Sequence, residues 1–207
     1  MKHIVAALLF LLICTDPVLA RSIKVTIPPG APKIKSDFHS RIGVSGGRRP
    51  APHQGIDLVA RNRTPILAAA DGTVLETDIG SCWGPTLVID HGPGPDGKPL
   101  IAAYGHVGQF TVQPGQRVKR GQMVARLGNN HHKFRCIGGV RHLHFQLGRK
   151  HRSGPKGSSW GHTKYLVDGK RGVNPHLYWA DGPGQITCFR QGRSYPKGTL
   201  TYPMACR

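Results

Sequence analysis

From Pro65 to Leu147 the chain alternates short apolar runs with turn residues: ILAAA, then Asp71-Gly72, then TVLET; TLVID, then HGPGPDGKP, then LIAAYGHV. QRVKRG, MVARLG and HLHFQL follow, again short and separated by glycine. Runs of this length, β-branched or alternating and bounded by Gly, Pro and Asp, read as strands, and neighbours joined by a Gly-containing turn read as hairpins. After Gly148 the stretch KHRSGPKGSSWGHTK is polar and loop-like, and VNPHLYWADGPG has room for one short helical turn. With no internal repeat and no heptad pattern, the predicted fold class is all-β, a compact antiparallel β-sheet domain.

The flanks differ from this pattern. Residues 1–20 combine Lys2, an apolar run from Ile4 to Cys14, and Val18-Leu19-Ala20. That is the layout of a secretory signal peptide with cleavage near Ala20. The run is shorter than the ~20 apolar residues of a spanning helix, so no membrane span is expected. Ile13 stands where a lipoprotein signal requires a small residue before the cysteine. Residues 21–36 are Pro-rich and basic and read as a leader. Residues 37–180 form the expected domain and 181–207 a disulfide-closed tail. The expected location is periplasmic or extracellular, as a monomer.

Composition sharpens this. Lys and Arg number 29 against 10 Asp and Glu, a formal charge of +19, and the only glutamate is Glu76. With 28 Gly and 17 Pro, the composition argues against a helical bundle. Such a charge suits polyanions; export points to anionic cell-envelope polymers rather than nucleic acid. Beyond the signal remain Cys82, Cys136, Cys188 and Cys206, an even number in an oxidising compartment, where two disulfides are the default. Three pairings are possible; Cys82 with Cys136 and Cys188 with Cys206 are favoured. No C-x-x-C occurs, which argues against cysteine-bound zinc.

The chain has 12 histidines, and their placement carries the chemistry. In His142-Leu143-His144, alternate strand residues put both imidazoles on one face. His53 and Asp57 stand four apart in His53-Gln54-Gly55-Ile56-Asp57, about 13 Å if extended. Joint metal binding therefore needs a turn, and Gly55 is the expected source of backbone freedom. His106 follows Tyr104-Gly105. Together these supply His, Asp and His ligands with two histidines to spare.

HQGID, YGH and HLHFQ in this order, with DGTV, TLVIDHG, PGQRVKRGQ and ARLGN between them, resemble the lysostaphin-type (LytM-like) zinc endopeptidases of peptidoglycan, from about Phe38 to Leu147. The resemblance implies a half-open β-sandwich with long loops around a zinc cleft. It implies Zn2+ held by His53, Asp57 and His144, with His106 and His142 assisting catalysis. The expected activity is hydrolysis of peptidoglycan stem peptides or cross-bridges. Three protein ligands leave a fourth zinc position open, as catalytic sites do. Glu76 has no histidine motif around it, so proton handling is expected of His106 and His142.

Some positions depart from the family pattern. Residues 129–136, Asn129-Asn130-His131-His132-Lys133-Phe134-Arg135-Cys136, replace a short Thr/Ser/Gly-rich loop; His131 and His132 read as part of a cationic surface loop. Gln146 stands where Glu is frequent and His39 where Gly is frequent, and neither is expected to touch a ligand. Trp83 is a cleft wall or loop packing. The rival readings are a non-catalytic wall-binding or amidase-activating module of the same fold, and a secreted polyanion binder.

Overall fold

A computed structural model describes residues 23–80, 82–151 and 172–207. The expected signal segment and most of the polar stretch after Gly148 lie outside the described residues. Among the described residues there are ten strands: β1 (Ile34–Ser36), β2 (Ile56–Val59), β3 (Pro65–Leu67), β4 (Gly72–Gly80), β5 (Gly84–Pro93), β6 (Pro99–Gly105), β7 (Val107–Phe110), β8 (Arg117–Val118), β9 (Met123–Leu127) and β10 (His142–Gly148). The helical structure described is two single 3-10 turns, Arg135–Ile137 and Pro175–Leu177, the second within the segment expected to hold one. Among the described residues no helix is long and apolar enough to cross a membrane.

Seven strands form one sheet in the order β1-β2-β10-β6-β5-β4-β8, and three form a second in the order β3-β9-β7. Every strand pairing is antiparallel. The main core lies between them: Leu58, Leu87, Tyr104 and Phe145 from the large sheet meet Ile66, Val124 and Leu127 from the small one. The chain is therefore all-β, an open two-sheet sandwich. TLVID and LIAAYGHV form the expected hairpin β5–β6. ILAAA does not pair with TVLET; β3 pairs with β9 instead, because its small apolar side chains fill the space between the two sheets.

Two flanking segments belong to the packed fold. Within the expected leader, Ile34–Ser36 forms the edge strand β1 against β2, and Val25, Ala31 and Ile34 pack on the main core. In the tail, Leu200, Tyr202 and Met204 are fully buried. Arg120 pins that tail, donating to the carbonyls of Ala69 and Thr199 at 2.9 and 2.7 Å. Cys82 is bonded to Cys136 and Cys188 to Cys206.

Candidate metal centre

Alternation on two adjacent strands builds the site. Leu143, Phe145 and Leu147 of β10 face the main core, so His142, His144 and Gln146 face the other side. On β2, Ile56 and Leu58 take the core and Asp57 the opposite face, directly across from His144 in the pairing register. His53 reaches the same space from the loop before β2. Gly55 matters there through space rather than through a special backbone angle. A Cβ on it would lie 2.4 Å from the Phe145 carbonyl oxygen, so glycine lets this loop press against β10. His106, at the end of β6, carries a positive φ of 65°, which L side chains rarely adopt.

All five residues expected from the sequence thus meet in one buried cluster. His144 Nδ1 lies 2.8 Å from Asp57 Oδ1 and 3.0 Å from His53 Nε2, and His53 Nε2 lies 3.1 Å from Asp57 Oδ1. His142 Nε2 is 3.5 Å from the same oxygen. The His106 ring stands 4.8 Å from that of His142 and 5.7 Å from that of His144.

Each ring is anchored through the nitrogen that faces away. His53 Nδ1 donates to the Asp37 carbonyl at 3.0 Å, with Ser36 Oγ 3.2 Å away. His106 Nδ1 donates to the Trp83 carbonyl at 2.8 Å and His142 Nδ1 to the Val140 carbonyl at 2.7 Å. His144 Nε2 donates to Gln146 Oε1 at 3.1 Å. Four outward N–H bonds leave four bare inward nitrogens, the tautomers that metal ligation and proton acceptance both require.

The donor set fits a metal ion. One atom each from His53, Asp57 and His144 lies within 4.8 Å of the others. A tetrahedral zinc with bonds of about 2.1 Å has ligand-to-ligand edges of roughly 3.4 Å, near the separations found here. Burial lowers the pKa of His53, His142 and, farthest, His106, the last also through repulsion from His142 and His144. Burial alone would raise Asp57; the contacts its Oδ1 makes with the His144 and His53 rings outweigh it and hold the carboxyl well below its usual range. The rings of His53, His106 and His142 are therefore held neutral beside a carboxylate, as metal binding and proton acceptance need.

Several supporting residues carry no sequence motif. Arg49 donates from its terminal nitrogen to Asp57 Oδ2 at 2.6 Å, leaving Oδ1 to the histidines. Gln146 does touch His144, contrary to the expectation that it stands clear, because two residues along a strand share a face. His39 also takes part through its backbone N–H, which bonds the His53 carbonyl at 2.9 Å. Beyond them, His176 binds Asp37 at 2.7 Å and accepts from Trp179 Nε1 at 3.0 Å, so the C-terminal segment braces the loop that holds His53. Trp83 is buried and packs its ring 4.9 Å from His144, which makes it a wall of the site. Glu76 lies elsewhere and binds His151 at 2.8 Å.

The sequence profile of peptidase family M23 matches residues 51–155. This chain belongs to peptidase family M23. Among its relatives, peptidoglycan DD-endopeptidase ShyA of Vibrio cholerae is 33% identical over 115 residues, 56% of this chain and 24% of that protein. A lipoprotein NlpD/LppB homologue of Pseudomonas aeruginosa is 35% identical over 78 residues, 37% of this chain and 25% of that protein. The match thus spans about a quarter of each of these two M23 relatives. Among solved structures, the catalytic domain of the prophage-encoded M23 protein EnpA from Enterococcus faecalis is 25% identical, with a TM-score of 0.47, covering 74% of this chain and 95% of that one. The lysostaphin catalytic domain from Staphylococcus simulans is 22% identical, with a TM-score of 0.43, covering 58% and 80%.

Proposed function

We propose that this M23 protein is an exported zinc metalloendopeptidase that hydrolyses peptide cross-links of bacterial peptidoglycan. The observation that carries the reading is the convergence of three imidazole nitrogens, from His53, His142 and His144, on one buried carboxylate oxygen, with the His106 ring beside that of His142. His53 Nε2, Asp57 Oδ1 and His144 Nδ1 would hold the zinc, which when bound supplies Lewis acidity towards a water and the scissile carbonyl. Arg49 occupies Asp57 Oδ2 at 2.6 Å and leaves a single carboxylate oxygen to the histidines. His106 and His142 do the proton work through Nε2. Held neutral by burial, they accept the proton of the attacking water, and the imidazolium so formed returns it to the departing amine. Asp57, 3.5 Å from His142, stabilises that transient charge. The named activity of ShyA and the signal-like first twenty residues support a cell-wall substrate reached after export.

The test is to purify the oxidised protein, determine bound zinc, and follow release of new amino groups from isolated peptidoglycan. Wild type should carry about one zinc per chain and release amines. His144→Ala should do neither, and His106→Ala should keep the zinc and lose cleavage. A fully active His106→Ala enzyme would overturn the mechanism. Zinc binding without amine release from several wall types would make the chain a binding or activating module.

A further inference from the structure

Two adjoining cavities lie away from the metal centre, at the other edge of the large sheet. One, of about 360 Å³, runs along β4, β5 and β8 and includes Arg117 and Lys119. The other, of about 510 Å³, is walled by the tail segment between Cys188 and Cys206 and includes Arg120, Arg193 and Lys197. They share Asp71 and His91, so together they form one groove. The groove strands β5, β4 and β8 lie beyond β6 from β10, and none of the five residues of the metal centre lines either cavity.

The groove is basic, and its acids are committed to the fold. Asp71 accepts from the Arg120 N–H at 2.8 Å and Asp90 from the Gly92 N–H at 2.8 Å. Arg120 is committed too, bonded to two carbonyls and stacked 4.8 Å from the centre of the Tyr195 ring. Arg193 covers the same ring at 5.1 Å and pairs with Asp181. These contacts hold the groove's shape. Arg117 and Lys197 are exposed on its two walls, with no carboxylate partner among the described residues. Positive charge left unneutralised on both sides of a preformed concavity is a site for an anion, and volumes of several hundred Å³ hold a group the size of one or two residues.

We propose that this groove binds the free carboxylates of peptidoglycan stem peptides, gripping the polymer beside the stretch that enters the zinc cleft. The proposal rests on the peptidoglycan reading above for the identity of the polymer; the charge complementarity comes from Arg117, Lys197 and the closed tail. The tail wall with Lys197 lies beyond residues 51–155, the span matched by the family, while the wall with Arg117 lies within it.

The experiment measures co-sedimentation with isolated peptidoglycan stripped of attached polymers, at low ionic strength, in a His106→Ala background so that binding is read without cleavage. Arg117→Glu with Lys197→Glu should weaken binding by about tenfold or more, as expected for two lost charge contacts. Lys33→Glu with Lys35→Glu, the same change of charge beside the opposite edge strand, should weaken it less than about threefold. Blocking the wall carboxylates as neutral amides should abolish the difference. Equal losses from both pairs would overturn the groove in favour of diffuse charge, and unchanged binding to the amidated wall would overturn the carboxylate ligand. In the His106-containing protein, the groove pair should cut a soluble cross-linked peptide at the wild-type rate. Failure of all forms to cut any wall would count against the proposed hydrolase while leaving the binding result to stand or fall alone.

Discussion

At His144 the choice of ligand nitrogen rests on one amide. Gln146 Oε1 takes the Nε2 proton at 3.1 Å, and so leaves Nδ1 bare towards Asp57 and His53. Partners of this kind, one step behind a metal ligand, are worth about 10–100-fold in metal affinity. Gln146→Leu should therefore weaken zinc binding by about that factor, read by competition with a chromogenic chelator. Gln146→Glu, which still presents an acceptor oxygen, should stay within about threefold of wild type. An unchanged affinity in Gln146→Leu would show that packing, not the amide, sets the ring. Arg49 acts on the same ligand set from the other side. By occupying Asp57 Oδ2 at 2.6 Å it holds the carboxylate in one rotamer.

At the scale of elements, two disulfides do different work. Cys82–Cys136 joins the loop before β5 to the loop around the Arg135–Ile137 turn, aided by the Cys136 N–H bonding the Cys82 carbonyl at 3.0 Å. The Phe134 ring closes over Gly84, leaving no room for a Cβ there. Trp83 sits between Cys82 and Gly84, and its carbonyl orients His106. Cys188–Cys206 closes the tail that walls the second cavity, which none of the site histidines lines. Chain entropy assigns about 3 kcal/mol to the separation of 18 residues and about 4 kcal/mol to that of 54. Replacing both Cys188 and Cys206 by Ser should lower stability to urea by about 3 kcal/mol and leave turnover of a soluble peptide unchanged. Replacing Cys82 and Cys136 by Ser should in addition lower kcat about tenfold with zinc content intact, because His106 loses a fixed acceptor. Equal kcat in the two double variants would remove the positioning role. The legibility of the site follows the same division. HLHFQL announces its pair of histidines because strand alternation is local, HQGID announces a candidate pair because His and Asp stand close in sequence about a glycine, and TLVID with LIAAYGHV announces a hairpin because its turn residues are local. The carbonyls of Asp37 and Trp83, the Arg49 side chain and the His176 brace act through backbone atoms or across long separations, and no spacing encodes them. The pairing of β3 with β9 is likewise a matter of tertiary space, since a short run of Ile, Leu and Ala suits either partner.

For the whole molecule, the buried histidines set the response to acid. His91 is the simplest case. Its Nδ1 donates to the Asp71 carbonyl at 3.0 Å, and its Nε2 meets the Tyr104 hydroxyl at 2.9 Å. Burial pushes its pKa down to about 4, against smaller opposing pulls from the Asp71 carbonyl and Asp90 and with a further push from Arg120. In the unfolded chain it titrates near 6.5. Between those values the unfolded chain binds a proton that the fold refuses, so stability falls as pH falls, by about 3 kcal/mol for this residue alone. His53, His106 and His142 shift the same way through burial and steepen the slope. Asp57, held well below its usual range, adds a second loss at lower pH, once the unfolded carboxylate begins to protonate near 4. Zinc-free protein should therefore lose stability steadily from pH 7 to pH 4 in urea titrations. His91→Gln should start less stable at pH 7, where its amide replaces a fitted ring, and lose less on acidification, so that the gap to wild type closes. A gap that stays constant across this range would mean that His91 titrates normally in the fold. Bound zinc should make the loss steeper still, because protons compete for His53, Asp57 and His144 only in the folded state, where those ligands converge.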